Sequence, residues 1–559
     1  MKHFNQNFSE FWDRLINSCS REIIYDEYMI DTLISWVQVL ASSTYRAFRH
    51  TATFVSLQMI DSIISIATKQ RSQLELVERQ LETSSQSKKN KNTVEKKDVL
   101  IENIKALEAM IQSIFNGVVV HRYRDVFPQI RSQSVEAIGR WCLNYPAHFL
   151  KNVYTKYLGW TLYDTVSEVR FSALNAIKQI YQQEEYVNQL DLFTQRFSER
   201  MVEMRLDKDP HVSVCAISLL ENLTCNYEKI NDQDVNKVFE LIEENDRSIR
   251  SATAKFINRY LFDSNNQTTK KSAKKDKKQL VEQNIQELAK FVLEIFESKQ
   301  SNQSSSSPPS SPSSSSSSSY ELDRKKEETT EIIVDAIWEH AEWLKDWNSL
   351  TECLIDEEDN QMQLVYSKII STSVKRSVGV EVCGKLDNSE KSLSKKQIQA
   401  NQNEITEHFI KFLPDLFNSF KAESFIGSIV EITNHLLLDH FATQSAENSH
   451  HLLISNLSQI FLQNPHQDTL LLIADVWNKI LNTSYPLRHQ SLLSFHSLAE
   501  QISFNFTSVF DRAMVIQFFQ FFIFYRFFFF FFFLHNHFFL KFFFVQNNRK
   551  MKRNSKKKK

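Results

Sequence analysis

An all-α chain built as a solenoid of stacked helix pairs is what this sequence predicts, and three observations carry the prediction. Only six glycines occur in 559 residues, against roughly 7% in an average protein, so few residues suit positive φ and a sheet-rich fold with many tight turns is disfavoured. A pattern also recurs. Ile130-Arg131, Val169-Arg170, Val212-Ser213 and Ile249-Arg250 each open a segment with a small residue four places on, at Ser134, Ala173, Ala216 and Thr253. Apolar pairs follow at seven and eight places, Ala137-Ile138, Ala176-Ile177, Leu219-Leu220 and Phe256-Ile257. Each copy thus lays an apolar stripe along a helix, with a small side chain where a neighbouring helix comes close. The starts lie 39, 43 and 37 residues apart, a spacing that belongs to HEAT-type repeats, in which no unit buries its apolar face without a neighbour.

Residues 1–67 read as two or three helices anchored by Trp12, Leu15, Trp36 and Leu40. Residues 68–117 read as a long helical hairpin inserted near the amino terminus. Leu74, Val77 and Leu81 rise along one arm, Val99, Ile104, Leu107 and Ile111 descend the other, and a polar turn between Thr83 and Lys97 joins them. The repeats fill 118–262. Residues 263–320 form an interrupted region that is Lys-rich and polar from Asn265 to Gln279 and helical from Leu280 to Ser298. From Ser301 to Ser319 it is so rich in serine that burial cannot offset its ordering entropy, and a disordered linker is expected. Residues 321–512 carry further HEAT-like helices, with a polar break near Lys385 to Asn403.

Residues 513–559 differ in kind. Phe518 to Val545 is dense enough in phenylalanine to suggest a membrane span, yet Arg526, His535, Asn536, His537 and Lys541 interrupt it. A charge at mid-bilayer costs about 2.5 to 3.5 kcal/mol on insertion scales, which many phenylalanines at about −0.3 to −0.6 kcal/mol each offset. A near-homopolymer followed by NNRKMKRNSKKKK reads rather as translated T-rich and A-rich nucleotide runs, so no function is assigned to it and no membrane partner is expected.

Composition excludes several classes. The glycines form neither a GxGxxG nor a GxxxxGK pattern, which argues against a phosphate-cradling loop. Six scattered cysteines form no CxxC and indicate neither a zinc cluster nor a disulfide framework. The amino terminus begins like an amphipathic helix and has no secretory-signal pattern. No cofactor is expected and no enzyme: Glu339, His340, Glu342 and Asp346 cluster near Trp338, Trp343 and Trp347 on what reads as one helix, without an HExxH.

Beyond these patterns, particular strings are informative. FWDRLI and STYRAFRHTATF, then GVVVHRYRD, IRSQSVEAIGRW, FLKNVYTKYLGWTLYD, EVRFSALNAIKQIY, LFTQRFSERMVEM and DKDPHVSV, follow one another across roughly residues 9 to 225. In that order they resemble the stromalin family, the HEAT-repeat accessory subunit of the cohesin complex. The resemblance implies a nuclear, chromatin-associated subunit that docks on the kleisin and through it on the SMC ring, contacts DNA without sequence preference, and recruits regulators carrying short aromatic motifs. It places that recruiting surface at Arg124 in HRYRD, at Lys156, Tyr157 and Trp160 in KYLGW, and at Arg196 in FTQRF. Asn152 stands where family members carry Asp, which removes a charge from the rim. The family's kleisin surface is spread over many repeats and maps onto no individual residue here. The sequence also stops well short of a full-length member, which leaves either a partial gene model or a protein lacking part of that surface.

Spacing alone makes Val153, Tyr157 and Trp160 one helix face, so the two aromatics are either pocket walls or ordinary core. Arg131, Arg170 and Arg250 recur at equivalent positions, which favours bonds to carbonyls of the adjacent turn over nucleic-acid contact. Lys270, Lys271, Lys274, Lys275, Lys277 and Lys278 form a run that is either a solvated loop or a phosphate contact. Lys88, Lys89, Lys91, Lys96 and Lys97 repeat the theme at the hairpin tip. No aromatics interleave with them, so base readout is not indicated. The competing readings are a HEAT-type transport adaptor without a chromatin role and a scaffold tethered through the phenylalanine tail.

Overall fold

The computed structural model describes residues 2–83, 91–263, 274–304, 319–383, 394–442 and 446–512. Among them the regular elements are helices, and the chain divides into two compact units, Met1–Thr268 and Thr269–Lys559. The lysines at 270 and 271 and the phenylalanine-rich tail lie outside the described residues.

In the first unit, α1 (Lys2–Ser18) and α2 (Met29–Ala41) both lie on α3 (Arg46–Thr83), and α4 (Lys91–Ile114) packs along α3. Helix α3 runs unbroken through positions 67 and 68, where the sequence reading placed a domain boundary. The hydropathy change there marks loss of cover on one side: Ala67 is fully buried and Thr68 exposed, while the helix continues. Arg71 then reaches Glu108 of α4 at 3.2 Å. By length and composition α3 is apolar enough to cross a membrane, but 67% of its apolar stretch is buried within the protein.

After α4 comes one π-helical turn, Phe115–Val119, and the short α5 (Val120–Arg122). The repeats follow as α6 (Pro128–Asn144), α7 (Pro146–Phe149), α8 (Asn152–Thr161), α9 (Ser167–Tyr181), α10 (Glu184–Val187), α11 (Asp191–Glu203), α12 (Pro210–Cys225), α13 (Asp232–Phe239) and α14 (Arg247–Ile257). Helices α6, α9, α12 and α14 stack successively. The four small residues, Ser134, Ala173, Ala216 and Thr253, are fully buried in that stack, with the apolar pairs beside them. At Gly139 a Cβ would lie 2.5 Å from the Ala176 Cβ, so α6 meets α9 where neither carries bulk.

The repeated arginines do what their position predicts and more. Arg131 donates to the carbonyl of Asp125 at 2.8 Å, Arg170 to that of Asp164 at 2.9 Å and Arg250 to that of Glu244 at 3.2 Å, each six residues back. Arg131 also grips the Asp164 carboxylate at 2.6 and 2.7 Å, and Arg170 grips Asp207 at 2.7 and 2.6 Å. Each guanidinium therefore ties its own turn to the next repeat by a bidentate bond. Arg49 makes the same bonds earlier, to the Ser43 carbonyl at 3.1 Å and the Asp125 carboxylate at 2.8 and 3.1 Å. Ser213 occupies the arginine position in the next repeat and keeps only the bond to the carbonyl six back, at 3.1 Å.

The second unit comprises α15 (Lys274–Ser304), α16 (Ser319–Ile337), α17 (Trp347–Asp356), α18 (Asn360–Ser377), α19 (Lys395–Phe420), α20 (Ile426–Thr433), α21 (Glu447–Gln463), α22 (Gln467–Asn482) and α23 (Arg488–Arg512). Contacts run α16 to α18 to α20 to α22 in one layer and α15 to α17 to α19 to α21 to α23 in the other, which is a two-layer solenoid. Helix α15 starts inside the stretch read as a polar linker. The acidic cluster near the tryptophans does not share one helix. Helix α16 ends at Ile337, Glu342–Lys345 is a single 3₁₀ turn, and Asp346 caps α17 by accepting the Ser349 N–H at 3.4 Å. Glu339 is taken by Arg376 at 2.9 Å.

Candidate partner-peptide site

The surface around Trp160 is built from the turn before α6 and from α8 and α11. Asp125 holds the turn. It accepts from Arg49, from Arg122 at 2.5 Å and from the Phe127 N–H at 3.0 Å. Burial alone would raise this carboxyl, but those bonds and the two guanidinium charges outweigh it and hold it below the ordinary carboxylate value. On the other side of Arg124, the Tyr123 ring sits 4.9 Å from the Tyr157 ring and 6.3 Å from Trp160. Anchored on both flanks, the turn presents Arg124 to solvent.

On α8 the two candidate aromatics part company. Tyr157 is 7% exposed and packs on Phe115 of the π-helical turn at 5.5 Å, so it belongs to the core. Burial pushes its hydroxyl up. Trp160 is 44% exposed and stands edge-on to Tyr157 at 5.4 Å. The expected pair of pocket walls is therefore one exposed ring on a buried one, because Tyr157, three residues earlier, turns towards the helix's core side. The Lys156 ammonium lies 5.2 Å from the Tyr157 ring centre and 5.3 Å from that of Trp160, a cation–π arrangement that fixes the indole.

Arg196 is exposed on α11. That helix comes close to α8 because position 159 is glycine: a Cβ there would lie 2.3 Å from the Phe197 ring. Phe193 and Phe197, 4.9 Å apart, face inward and leave Arg196 outside. Sequence reading missed Tyr163, 61% exposed one turn beyond Trp160, with the Arg200 guanidinium 4.8 Å from its ring centre. Its spacing from Trp160 was the available signal. The Asn152 Oδ1 is buried with no hydrogen-bond partner among the described residues.

Of the basic run, Lys274, Lys275 and Lys277 fall in the first turn of α15, and Lys278 is held by Glu352 at 2.5 Å and Glu282 at 3.7 Å. Those carboxylates raise the Lys278 pKa and already neutralise the charge that a phosphate contact would use. Lys97 is likewise paired, with Glu78 at 3.0 Å.

Three family models match the chain in order: the STAG domain over residues 1–102, the stromalin conservative domain over 124–198, and the HEAT-repeats domain of cohesin subunit SCC3/SA over 333–516. The chain belongs to the stromalin family. Sister-chromatid cohesion protein 3 of Arabidopsis thaliana is 29% identical over 438 residues, 76% of this chain and 37% of that protein. Cohesin subunit SA-1 of Xenopus laevis is 31% identical over 444 residues, 76% of this chain and 33% of its own length. The chain thus spans about a third of the length of these stromalin relatives. In fold it is similar to the solved cohesin subunit Scc3 from Z. rouxii, with a TM-score of 0.70 and 16% identity, covering 88% of this chain and 56% of that one. All five candidate residues, from Arg124 to Arg196, fall inside the stretch matched by the stromalin conservative domain.

Proposed function

We propose that this chain is a cohesin accessory subunit that works by binding and performs no bond chemistry. It docks on the kleisin and through it on the SMC ring, in the nucleus on chromatin, and recruits regulators through the surface around Trp160. The observation that carries the recruiting role is a large aromatic ring left 44% exposed inside a tightly tied repeat stack, flanked by exposed Arg124 and Arg196. An incoming Phe or Tyr gains an aromatic contact on the indole worth about 0.5 to 1.5 kcal/mol beyond area burial. The two guanidinium groups then fix acidic or carbonyl groups of the same peptide. Because Tyr157 is committed to the core, the partner ring meets Trp160 and, in the turn just after α8, Tyr163. The family relation supports non-specific DNA contact as well, although the pairing of Lys278 and Lys97 directs that contact away from those two lysines.

The test is a pull-down of the full chain with the organism's kleisin and, separately, with aromatic-motif peptides, comparing wild type with Trp160→Ala and Arg124→Glu. Kleisin capture is expected to persist in all three while both variants lose the peptides. Failure of the wild-type chain to capture kleisin, together with indifference to duplex DNA, contradicts the cohesin reading and favours a transport adaptor.

A further inference from the structure

Far from that surface in sequence, four helices of one layer of the second unit, α16, α18, α20 and α22, line an open-mouthed cavity of about 180 Å³. Its lining is acidic: Asp323, Glu327, Glu328, Glu331, Glu431 and Asp468, against the cations Arg324 and Lys368. Most of this charge is balanced internally. Lys368 reaches Glu331 at 3.2 Å and Glu431 at 3.7 Å, and Lys375 takes the same two at 2.8 and 2.6 Å. At the rim Arg324 reaches Glu328 at 3.3 Å and Asp468 at 3.5 Å.

Asp323 and Glu327 take their side-chain hydrogen bonds from neutral donors. Ser424 donates to Asp323 at 2.9 Å and Ser428 donates to Glu327 at 3.1 Å. Hydroxyls do not compensate buried negative charge as a cation does. Burial, the largest influence, pushes the Glu327 carboxyl up, and although Lys368 and Ser428 pull it down while Glu431 and Glu331 push it up, it stays above its ordinary value. A second, independent feature points into the same space. Thr469 is 3% exposed and lines the cavity, and its side-chain hydroxyl enters no hydrogen bond among the described residues. Its Oγ1 lies 3.2 Å from where a Gly427 Cβ would stand, so the glycine keeps room beside that hydroxyl.

The occupant follows from size and donor chemistry. Among the described residues no three His, Cys, Asp or Glu side chains are grouped to hold a metal ion. The carboxylates are thus spread too widely for a bare cation and suit one that brings its own N–H donors, three on an ammonium or five on a guanidinium. The volume corresponds to about six waters at roughly 30 Å³ each, enough for one side chain. At the mouth the Glu328 and Asp468 side chains are 60% and 53% exposed, extending negative surface along whatever chain carries that side chain. We propose that this cavity receives a lysine or arginine side chain from a basic linear segment of a partner protein, with Asp323, Glu327 and the Thr469 hydroxyl accepting its N–H groups.

The experiment titrates the full chain into a fluorescein-labelled short peptide of alternating arginine, glycine and serine, followed by anisotropy, beside the same peptide with citrulline for arginine. The arginine peptide is expected to bind and the citrulline peptide to bind about tenfold more weakly, as charge-assisted hydrogen bonds are lost. Glu327→Gln is expected to weaken the arginine peptide about tenfold and the near-isosteric Thr469→Val several-fold, with melting curves like wild type. Glu199→Gln, on the first unit, leaves binding unchanged. Equal binding of the citrulline peptide, wild-type affinity in Glu327→Gln, or an equal loss in Glu199→Gln overturns the proposal. Displacement of the peptide by low concentrations of spermidine also overturns it, in favour of a polyamine site.

Discussion

The two units stack their helices with different electrostatics. In the first, Arg131 and Arg170 each sit at a turn and hold one aspartate of the next repeat, Asp164 and Asp207. In the second, the cations lie along the buried face of α18, and Lys368 and Lys375 share both Glu331 and Glu431. At those two arginine joints the arrangement is a series of single ties. The other is redundant, so that removing a cation leaves its carboxylates partnered. The comparison teaches that similar repeat geometry tolerates loss of charge very differently, depending on whether ion pairs are in series or shared.

Acid should separate the units most strongly. Burial pushes His408, His435 and His450 of the second unit down to about 4. Between the ordinary value of 6.5 and that value, the unfolded chain takes up protons that the folded chain refuses, so stability falls as pH drops from 6.5 to 4. Each pH unit of difference amounts to about 1.4 kcal/mol per group before solvent screening, so three histidines together give an effect of several kcal/mol, to order of magnitude. In the first unit burial lowers His148 as well, but Asp125 and Asp207 are held below the ordinary 3.8. Their depressed values contribute stability above 3.8 that is lost only as pH falls below it. Hydrogen exchange on the full chain across this range should show α19 to α21 opening at higher pH than α6 to α12. Simultaneous opening of both sets contradicts the assignment.

The next largest effect tests series against shared ties. Arg170→Met leaves the Asp207 carboxylate buried without its main cation and is expected to cost about 3 to 5 kcal/mol, read as loss of amide protection in α9 and α12. Lys368→Met should cost clearly less, because Lys375 still holds both glutamates. Equal costs would abolish the distinction. Of similar size is Tyr157→Ala, which empties core and should cost about 3 to 5 kcal/mol, whereas Trp160→Ala, removing a ring already 44% exposed, should shift the urea midpoint far less. Smallest is Gly159→Ala, where the new Cβ must displace the Phe197 ring. Overpacking of about 1 to 3 kcal/mol, partly offset by the better helix propensity of alanine, should appear as a modest fall in melting temperature.

Much of the repeat stack was legible in the sequence, because helical period and small-residue contacts are local. The stripes opened by Ile130, Val169, Val212 and Ile249 are buried as read. The carbonyl bonds of Arg131, Arg170 and Arg250 also followed from position, since they reach back only six residues. Their carboxylate partners come from the following repeat, as Asp164 does for Arg131, and nothing in one repeat's sequence names them. At the candidate site, exposure separated Trp160 from Tyr157, a difference that spacing on one helix does not reveal. The tryptophan-rich stretch near Trp343 misled because Asp346 reads equally well inside a helix and at a cap, and only the fold decides.

The most direct test of the account is calorimetric titration of a short peptide bearing a Phe and Tyr pair into the full chain and its Trp160→Ala variant. The account predicts binding to wild type and none to the variant, with matching melting temperatures. Undiminished binding by a normally folded Trp160→Ala chain would contradict it.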